Sequence, residues 1–277
     1  GGCGMNSVAN GKIRLKTPFK KVYVQSAAGD AGGAIGAAFT TWHKIGGVKA
    51  KQRTQSHDHA YWGPSYKDEY IDQLLHKKEY LIKMENCEIE HITNITKLSK
   101  KTAAEIADGN VVGWFQGRME WGPRALGNRS IICDPRRSDM KDILNLKIKR
   151  RESFRPFAPS ILREEVPKWF EQDDNVPFMM QVYQIIKEKR YLIPAVTHID
   201  GSGRLQTVSE KTNPRYFSLI KAFNNLTNIP MLLNTSFNEN EPVVCKPEEA
   251  LETFLRTKMD LLVIGDWMKK RKNKYSK

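Results

Sequence analysis

The sequence predicts an α/β (α+β) protein built around an open mixed β-sheet, and three observations lead to that prediction. Short runs of β-branched and aromatic residues, such as VVGWFQG at 111–117, have the composition of buried strands. Longer segments with the apolar spacing of helices alternate with these runs. The 277 residues are 40% apolar and 27% charged, a balance typical of a folded chain with a real hydrophobic core.

The first part of the chain predicts one unit of strand, loop and helix, followed by an irregular segment. The alternation at 20–25 is typical of a strand, AAGDAGG at 27–33 of a glycine-rich turn, and AIGAAFTTWHKI at 34–45 of a helix of small residues. Polar residues and Gly-Pro breakers then lead to a predicted helix at 68–82. We place a domain boundary near residue 94.

Beyond residue 94, helices and strands alternate. KLSKKTAAEIADG predicts a helix that ends at Gly109. The turn DGSG at 200–203 is expected to join two strands. Further helices are predicted at 138–149, 213–225 and 247–258, and strands near 130–134, 157–162, 178–186, 204–208, 231–234 and 261–265. The chain is thereby divided into domains 1–94 and 95–277.

Composition argues against several classes of protein. No run approaches the roughly 20 apolar residues of a membrane span, and the start GGCGMNSVANGK lacks the regions of a signal peptide, so we expect a cytoplasmic protein. The four cysteines are far apart, which argues against a zinc ribbon and a disulfide framework. The net charge is +14, to which the C-terminal run KKRKNKYSK contributes six cations, and we expect this tail to be solvated.

The basic stretch RMEWGPRALGNRS at 118–130 is the first candidate for chemistry. Between Gly117 and Arg155 the chain holds eleven Lys or Arg against five acidic residues. A solvated basic face is the simplest interpretation of such a run. However, the arginines are interleaved with Trp121, Phe157 and prolines, and an unpaired guanidinium against apolar surface is costly. Because guanidinium groups match phosphate oxygens, the stretch indicates a site for an anion.

Two further polar segments follow predicted strands. LLNTSFNENEP at 232–242 places Asn234, Ser236 and Asn238 where an apolar strand ends, and these side chains either cap a turn or hold a ligand. HIDGSGRLQTV leaves the same two interpretations open, because Arg204 either faces solvent or points into the anion site. Neither segment identifies a function by itself.

Four motifs taken together resemble one family of enzymes: GRMEWGPRALGNRSIICDPR, IKRRESFRPFAPSIL, DGSGRLQTV and LLNTSFNENEPVV. They are similar, in the same order, to the C-terminal domain of the O-carbamoyltransferases that include nodulation and antibiotic-tailoring enzymes. GGCGMNSVANGKI and AAGDAGGAIGAAF look like the end of that family's other domain. The resemblance implies a YrdC-like open mixed sheet with helices over 95–277. It also implies that 1–94 is the C-terminal portion of an actin-like α/β domain shared with tRNA threonylcarbamoyltransferases, so that the chain is truncated at its N-terminus.

The resemblance implies a carbamoyl transfer in two steps. Such enzymes form carbamoyl adenylate from ATP and carbamoyl phosphate, with Mg²⁺, in the YrdC-like domain. They then pass the carbamoyl group to a hydroxyl-bearing small molecule at an iron-type metal site in the actin-like domain. Positioning and charge neutralisation are enough for the first step, without a protein nucleophile. By the same resemblance, the phosphates or carbamoyl phosphate are expected at Arg124, Lys149, Arg155 and Arg204, nucleotide or carbamoyl oxygens at Ser236 and Asn238, and a pocket wall at Asn128.

The transfer site that the resemblance implies is incomplete in this sequence. Asp30 in GDAGG matches a carboxylate that helps to hold the family's metal, and Gly1, Gly2 and Asn6 match a nucleotide-facing segment. The six histidines include no H-x-x-x-H pair, and one carboxylate makes a poor transition-metal site. We therefore expect the chain to form the adenylate but not to complete the transfer.

Two other classes of function remain open. A basic protein whose relatives act on tRNA is compatible with nucleic-acid binding, with Trp121, Phe154 and Phe157 as stacking platforms, although we do not expect a nucleic-acid partner. Alternatively, the chain is an inactive interaction fragment that needs a partner, which a large exposed apolar surface on residues 1–45 would favour. The sequence specifies neither the acceptor nor whether the chain forms a homodimer.

Overall fold

The computed structural model describes residues 1–46, 57–150 and 155–271. Its α-helices are α1 (Ser7–Lys16), α2 (Asp30–Ile45), α3 (Asp68–Lys77), α4 (Glu79–Met84), α5 (Ile95–Ala107), α6 (Met140–Leu144), α7 (Pro214–Thr227) and α8 (Pro247–Arg256). Its strands are β1 (Cys87–His91), β2 (Val112–Phe115), β3 (Arg129–Cys133), β4 (Ala158–Leu162), β5 (Tyr183–Gln184), β6 (Ser202–Gly203), β7 (Gln206–Val208), β8 (Met231–Ser236), β9 (Leu261–Ile264) and β10 (Trp267–Arg271). A π-helical turn spans Asn145–Lys149, and 3₁₀ turns span Arg163–Lys168, Lys187–Leu192 and Pro194–Val196.

Within the described residues, the main sheet has eight strands in the order β1-β10-β9-β2-β3-β8-β4-β7. The pairs β2–β9 and β4–β7 are parallel and the other pairs are antiparallel. Strands β2, β3, β4 and β9 are buried at every residue, which explains why β2 and β9 are continuous apolar runs rather than alternating ones. The α/β class and the open mixed sheet predicted from the sequence are therefore present.

The core crosses the predicted domain boundary at residue 94. Strand β1 lies before that boundary and pairs with β10, with Cys87 opposite Arg271. Ile71, Ile82 and Ile92 also belong to the same core cluster as the sheet residues. The boundary stays a prediction, but a cut there would remove a strand and part of the core from the C-terminal unit.

The strand predicted at 20–25 is wrong. These residues are irregular and link α1 to α2. No described strand lies beside them, and a lone strand cannot satisfy its backbone groups by pairing. Helix α2 is present, but none of its residues is buried. Helix α1 packs on the body of the protein, where Gly11 lies so close to Val182 that a Cβ atom would approach the Val182 carbonyl oxygen to 2.0 Å.

Four predictions in the C-terminal part need correction. The turn DGSG at 200–203 does not join two strands, because a 3₁₀ turn and irregular residues precede it and β6 begins within it at Ser202. The strand predicted at 178–186 is confined to Tyr183–Gln184, and a left-handed φ of 57° at Met179 interrupts the extended backbone near the start of the predicted segment. The helix predicted at 138–149 becomes π-helical from Asn145. The tail predicted to be solvated begins as β10, in which Lys269 is fully buried between two neighbouring strands, while 272–277 lie outside the described residues.

Other expectations from composition concern cysteines and membrane spans. Cys3, Cys87, Cys133 and Cys245 are all free thiols in the structure. In the described ranges, none of the helices combines the length and apolarity needed to cross a membrane.

Candidate functional site

The three arginines of the 118–130 stretch have different surroundings. Arg118 is exposed, and its Nη2 donates to the carbonyl oxygen of Trp62 at 2.8 Å. Arg129 is fully buried and belongs to β3. Arg124 is half-buried beside a cavity. The stretch is therefore not a uniform basic face, and only Arg124 of the three lies at the cavity.

Arg129 is held by backbone carbonyls. Its Nη1 donates to the carbonyl oxygens of Gln116 at 2.6 Å and Asn128 at 2.9 Å. The guanidinium carbon lies 3.7 Å from the centroid of the Phe115 ring, a cation–π geometry. Burial lowers the pKa of Arg129 to about 10. These contacts give Arg129 a structural role, which the sequence alone did not distinguish from that of Arg124.

A cavity of about 120 Å³ lies between the loop that carries Arg124 and the ends of β4 and β8. Arg124, Arg204 and Ser236, which come from three separate motifs, all line it. Burial lowers the pKa of Arg124, and its buried Nε has no hydrogen-bond partner among the described residues. Among the described lining residues the charged groups are the guanidiniums of Arg124 and Arg204, and none of these residues is a carboxylate. The described lining consists of Pro123, Arg124, Ala125, Pro156, Phe157, Ala158, Met179, Arg204, Asn234, Thr235 and Ser236.

Lys149 and the 236–238 turn form one hydrogen-bonded unit at the edge of this cavity. The buried Lys149 ammonium donates at 2.7 Å to the carbonyl oxygens of Ser236 and Asn238 and to Asn238 Oδ1. The Ser236 hydroxyl also donates to Asn238 Oδ1, at 2.7 Å. In this geometry Lys149 fixes the turn that presents Ser236 to the cavity.

A buried amide network that the sequence analysis missed supports the cavity from behind. Gln206 Nε2 donates to the carbonyl oxygen of Leu126 at 2.8 Å, so its Oε1 faces Ser160, whose hydroxyl donates to it at 2.6 Å. Asn234 Nδ2 donates to Ser160 Oγ at 3.0 Å and to the carbonyl oxygen of Ala125 at 3.1 Å. The sequence does not identify Gln206 of LQTV as part of this network. The pattern of a strand does not show which of its polar side chains faces a neighbouring strand.

The other two predicted residues near the cavity lie differently. Arg155 is exposed and directly precedes Pro156, which lines the cavity. Asn128 was expected to line the pocket, and this is not what the structure shows. Asn128 is not among the described residues that line the cavity. Its side chain is bound elsewhere: Nδ2 donates to the carbonyl oxygen of Arg118 at 2.7 Å, and Oδ1 accepts from Asn213 at 2.9 Å.

The predicted N-terminal site residues lie around the starts of α1 and α2. Asn6 caps α1, since its Oδ1 accepts from the backbone N–H of Ala9 at 3.1 Å, whereas Gly1 and Gly2 are exposed. Asp30 is the exposed first residue of α2. None of these residues lines the anion cavity.

An iron-type metal does not fit the described residues. No group of three or more His, Cys, Asp or Glu side chains in that part of the chain is arranged to hold a metal ion. Asp30 by itself offers one carboxylate, and transition metals need several ligands. We therefore derive no chemical step through such a metal.

Two family models match the chain. The model described as the carbamoyltransferase C-terminus matches residues 103–271, and the model described as the carbamoyltransferase N-terminus matches residues 1–39. The first match covers the loop that carries Arg124 and all of the cavity lining.

Curated proteins are similar over almost the whole chain. Nodulation protein NolNO of Sinorhizobium fredii is 43% identical over 98% of this chain and 39% of its own length. Nodulation protein NolO of Bradyrhizobium diazoefficiens is 42% identical over 98% of this chain and 48% of its own length. An uncharacterised Synechocystis protein is 43% identical over 97% of this chain and 46% of its own length. The chain thus spans less than half the length of these three relatives.

Similarity to solved structures is weaker. Full-length HypF in its phosphate- and nucleotide-bound form aligns with a TM-score of 0.44 and 18% identity, over 67% of this chain and 22% of that chain. YciO of E. coli aligns with a TM-score of 0.42 and 16% identity, over 63% of this chain and 81% of that chain. These similarities in shape add nothing to the sequence matches.

Proposed function

Because the chain belongs to the carbamoyltransferase family, we propose that it forms carbamoyl adenylate from ATP and carbamoyl phosphate, for transfer to a hydroxyl of a small-molecule acceptor. The observation that carries this proposal is the convergence of Arg124, Arg204 and Ser236 on one small cavity. One guanidinium group can bind two oxygens of the same phosphate, and it keeps its positive charge at neutral pH. Both properties suit the binding of an anionic substrate such as carbamoyl phosphate or ATP.

Of the two substrates, carbamoyl phosphate and ATP, the size of the cavity favours the smaller one, carbamoyl phosphate. Its volume of about 120 Å³ is below the roughly 300 Å³ at which pockets for whole organic ligands begin. The cavity therefore suits carbamoyl phosphate or a single phosphoryl group, and the adenosine part of ATP would extend outside it. Since no described lining residue is a carboxylate, Mg²⁺ would arrive on the nucleotide phosphates rather than on the cavity wall.

The proposed step balances as a substitution at phosphorus. Carbamoyl phosphate and water give carbamate and inorganic phosphate, and a carbamate oxygen then attacks the α-phosphorus of ATP. The new bond joins that oxygen to phosphorus, the α–β bridge breaks, and pyrophosphate leaves with its electron pair. Arg124 and Arg204 would neutralise phosphoryl charge, while Lys149 would hold the 236–238 turn in place.

The transfer step is proposed to need more than the described residues supply. These residues do not provide a metal site, and Asp30 is exposed. The relatives are more than twice as long as this chain. We accordingly assign to this chain the adenylation residues and not the transfer site.

A nucleic-acid function is the weaker alternative. Phe157, one of the expected stacking platforms, is buried at the cavity wall, and Trp121 is only half-exposed. Phe154 lies outside the described residues. Bases stack on exposed aromatic faces, which these described residues do not offer.

An interaction role for residues 1–45 is the second candidate, and one observation favours it. Helix α2 has no buried residue, and its Phe39, Trp42 and Ile45 are 37%, 49% and 77% exposed. Apolar side chains in such a row are typical of a surface that contacts another protein surface. This role is compatible with adenylation at the cavity, because Arg124 and Arg204 lie elsewhere.

Titration calorimetry at increasing salt tests the proposal against the nucleic-acid alternative. We expect saturable binding of carbamoyl phosphate and of ATP with Mg²⁺ that persists at moderate salt. Binding to a nucleic-acid backbone weakens steeply with salt, because affinity then depends on counterion release. A chain that binds tRNA tightly at low salt, and neither donor at any salt, contradicts the proposal.

A further inference from the structure

Glu120 is a buried carboxylate that bonds the loop carrying Arg124 without lining the cavity itself. It is 6% exposed. Its Oε1 accepts from the backbone N–H groups of Leu126 at 2.7 Å, Asn128 at 2.9 Å and Arg129 at 3.2 Å. One carboxylate oxygen thus satisfies three backbone donors within four residues. This fixes the path of the chain directly after Arg124.

The carbonyl side of the same loop is also held by side chains. The carbonyl oxygen of Ala125 accepts from Asn234 at 3.1 Å. The carbonyl oxygen of Leu126 accepts from Gln206 at 2.8 Å and from Tyr61 at 2.9 Å. The carbonyl oxygen of Gly127 accepts from the Trp114 indole at 2.9 Å. These partners lie on other strands and loops and fix only the acceptor groups. The backbone N–H groups of Leu126, Asn128 and Arg129 all donate to Glu120. Different side chains therefore bind the backbone carbonyl groups and these N–H groups.

Between β2 and β3, residues 116–128 form a loop that is neither helix nor strand, so regular structure does not set its shape. Gly122 and Gly127 have φ of 136° and 99°, values that favour glycine. A Cβ atom on Gly127 would approach the Tyr216 ring to 2.1 Å. Backbone bonds hold the first part of the loop, where the N–H groups of Met119 and Trp121 donate to the carbonyl oxygens of Pro64 and Ala60. After Arg124, Glu120 accepts from two backbone N–H groups of the loop and from that of Arg129, where β3 begins.

We propose that Glu120 is a positioning residue, which holds the loop so that the Arg124 guanidinium points into the anion cavity. The proposal rests on the proposed function for the identity of the anion, but not for the effect of Glu120 on the loop. Its negative charge is offset by the neighbouring buried Arg129, whose pKa it raises against the effect of burial. Glu120 therefore acts through the reach of its oxygen rather than through charge at the cavity.

Two conservative variants separate reach from charge. Glu120→Asp keeps the charge but withdraws the carboxylate by about 1.5 Å, one carbon–carbon bond. Glu120→Gln removes the charge but keeps the length and an acceptor oxygen. Glu90→Asp is the matched control, because Glu90 pairs with Lys101 at the surface, at 2.6 Å. The proposal predicts that Glu120→Gln is tolerated better than Glu120→Asp.

The experiment uses the whole chain and two readouts. The first is hydrogen exchange at the amides of Leu126, Asn128 and Arg129, which reports on the loop whether or not the protein binds a ligand. The second is the Kd for carbamoyl phosphate by calorimetry. In Glu120→Asp we expect exchange to become at least tenfold faster at these amides and the Kd to rise at least tenfold. In Glu120→Gln we expect less than threefold changes, and in Glu90→Asp none.

Each contrary result overturns a defined part of this reasoning. Unchanged amide exchange in Glu120→Asp refutes the positioning role, and so does a Kd that rises more in Glu120→Gln than in Glu120→Asp. Faster exchange with an unchanged Kd shows that the loop does not position Arg124 for the anion. If the wild type binds no carbamoyl phosphate, the proposed function fails while amide exchange still decides the role of Glu120. Should Glu120→Asp not fold, a tenfold weaker affinity in Glu120→Gln is sufficient to refute the proposal.

Discussion

Replacing the arginines of the 118–130 stretch one at a time should separate recognition of the anion from folding. Arg124→Ala removes a half-buried charged donor from the cavity wall. Loss of one such donor from a preorganised site costs about 2–4 kcal/mol of transition-state stabilisation. At about 1.4 kcal/mol for each factor of ten, this is roughly a 30- to 1,000-fold loss in the rate of adenylate formation. Arg124→Lys should recover only part of it, because an ammonium cannot reproduce the guanidinium fork.

The same alanine substitutions should rank differently in their effect on stability than in their effect on activity. Arg124→Ala should change the free energy of unfolding by less than about 0.5 kcal/mol, because the buried Nε has no hydrogen bond among the described residues to lose. Arg129→Ala should cost about 3–5 kcal/mol, because it empties the space of a large, fully buried side chain and leaves the carbonyl oxygens of Gln116 and Asn128 without their guanidinium donor. Arg118→Ala is the matched control, since an exposed donor to one carbonyl should matter little for either property.

The assay is isotope exchange for activity and urea denaturation for stability, applied to the same three alanine variants. We expect Arg124→Ala to be stable and impaired, Arg129→Ala to be unstable, and Arg118→Ala to resemble the wild type. The reasoning is refuted if Arg118→Ala impairs exchange as much as Arg124→Ala. It is also refuted if Arg129→Ala is as stable as the wild type.

Further predictions concern Lys269, the predicted boundary and Asp30. Burial lowers the pKa of Lys269 to about 7, and its Nζ has no hydrogen-bond partner among the described residues. Between that pH and its ordinary pKa near 10.4 the unfolded chain binds more protons, so stability should rise with pH by up to about 1.4 kcal/mol per unit. Lys269→Met should abolish this rise and stabilise the protein at pH 7, and denaturation at pH 7 and 9 checks both effects. A protein cut at residue 94 should give a less stable 95–277 than a chain that also keeps 66–94, because β1 and Ile71 belong to the same sheet and core. Isolated 1–94 should show no cooperative thermal transition. Asp30→Ala should leave the exchange of pyrophosphate into ATP nearly unchanged, because Asp30 lies outside the cavity lining. A large loss of exchange would show that Asp30 belongs to the adenylation site rather than to the transfer site.

Much of the fold could be predicted from local signals in the sequence. Gly109 was expected to end a helix, and it has a φ of 89° just after α5. The helix at 213–225 begins where Pro214 sets its first turn. The strand at 20–25 failed because alternation shows that a segment can pair but not that a partner exists. Strand β10 was missed because its burial depends on pairing with β1 and β9 rather than on its basic sequence.

The candidate site was predictable in outline but not in its internal roles. Arg124, Arg204 and Ser236 belong to separate sequence motifs, and the structure brings them to one cavity. Nothing local distinguishes Arg124 from Arg129, since their burial depends on which one enters strand β3. In the sequence, Glu120 is only one of five acidic residues between Gly117 and Arg155. Its three bonds to backbone N–H groups depend on a loop conformation that no pattern of residue types reveals.

Exchange of labelled pyrophosphate into ATP by the whole chain tests the central claim most directly. The claim is that the cavity of Arg124, Arg204 and Ser236 serves the formation of carbamoyl adenylate. We predict exchange that requires both carbamoyl phosphate and Mg²⁺ and that falls sharply in an Arg204→Ala variant shown to be folded by a cooperative thermal transition. A folded chain that shows no exchange, or exchange that is independent of carbamoyl phosphate, contradicts the account.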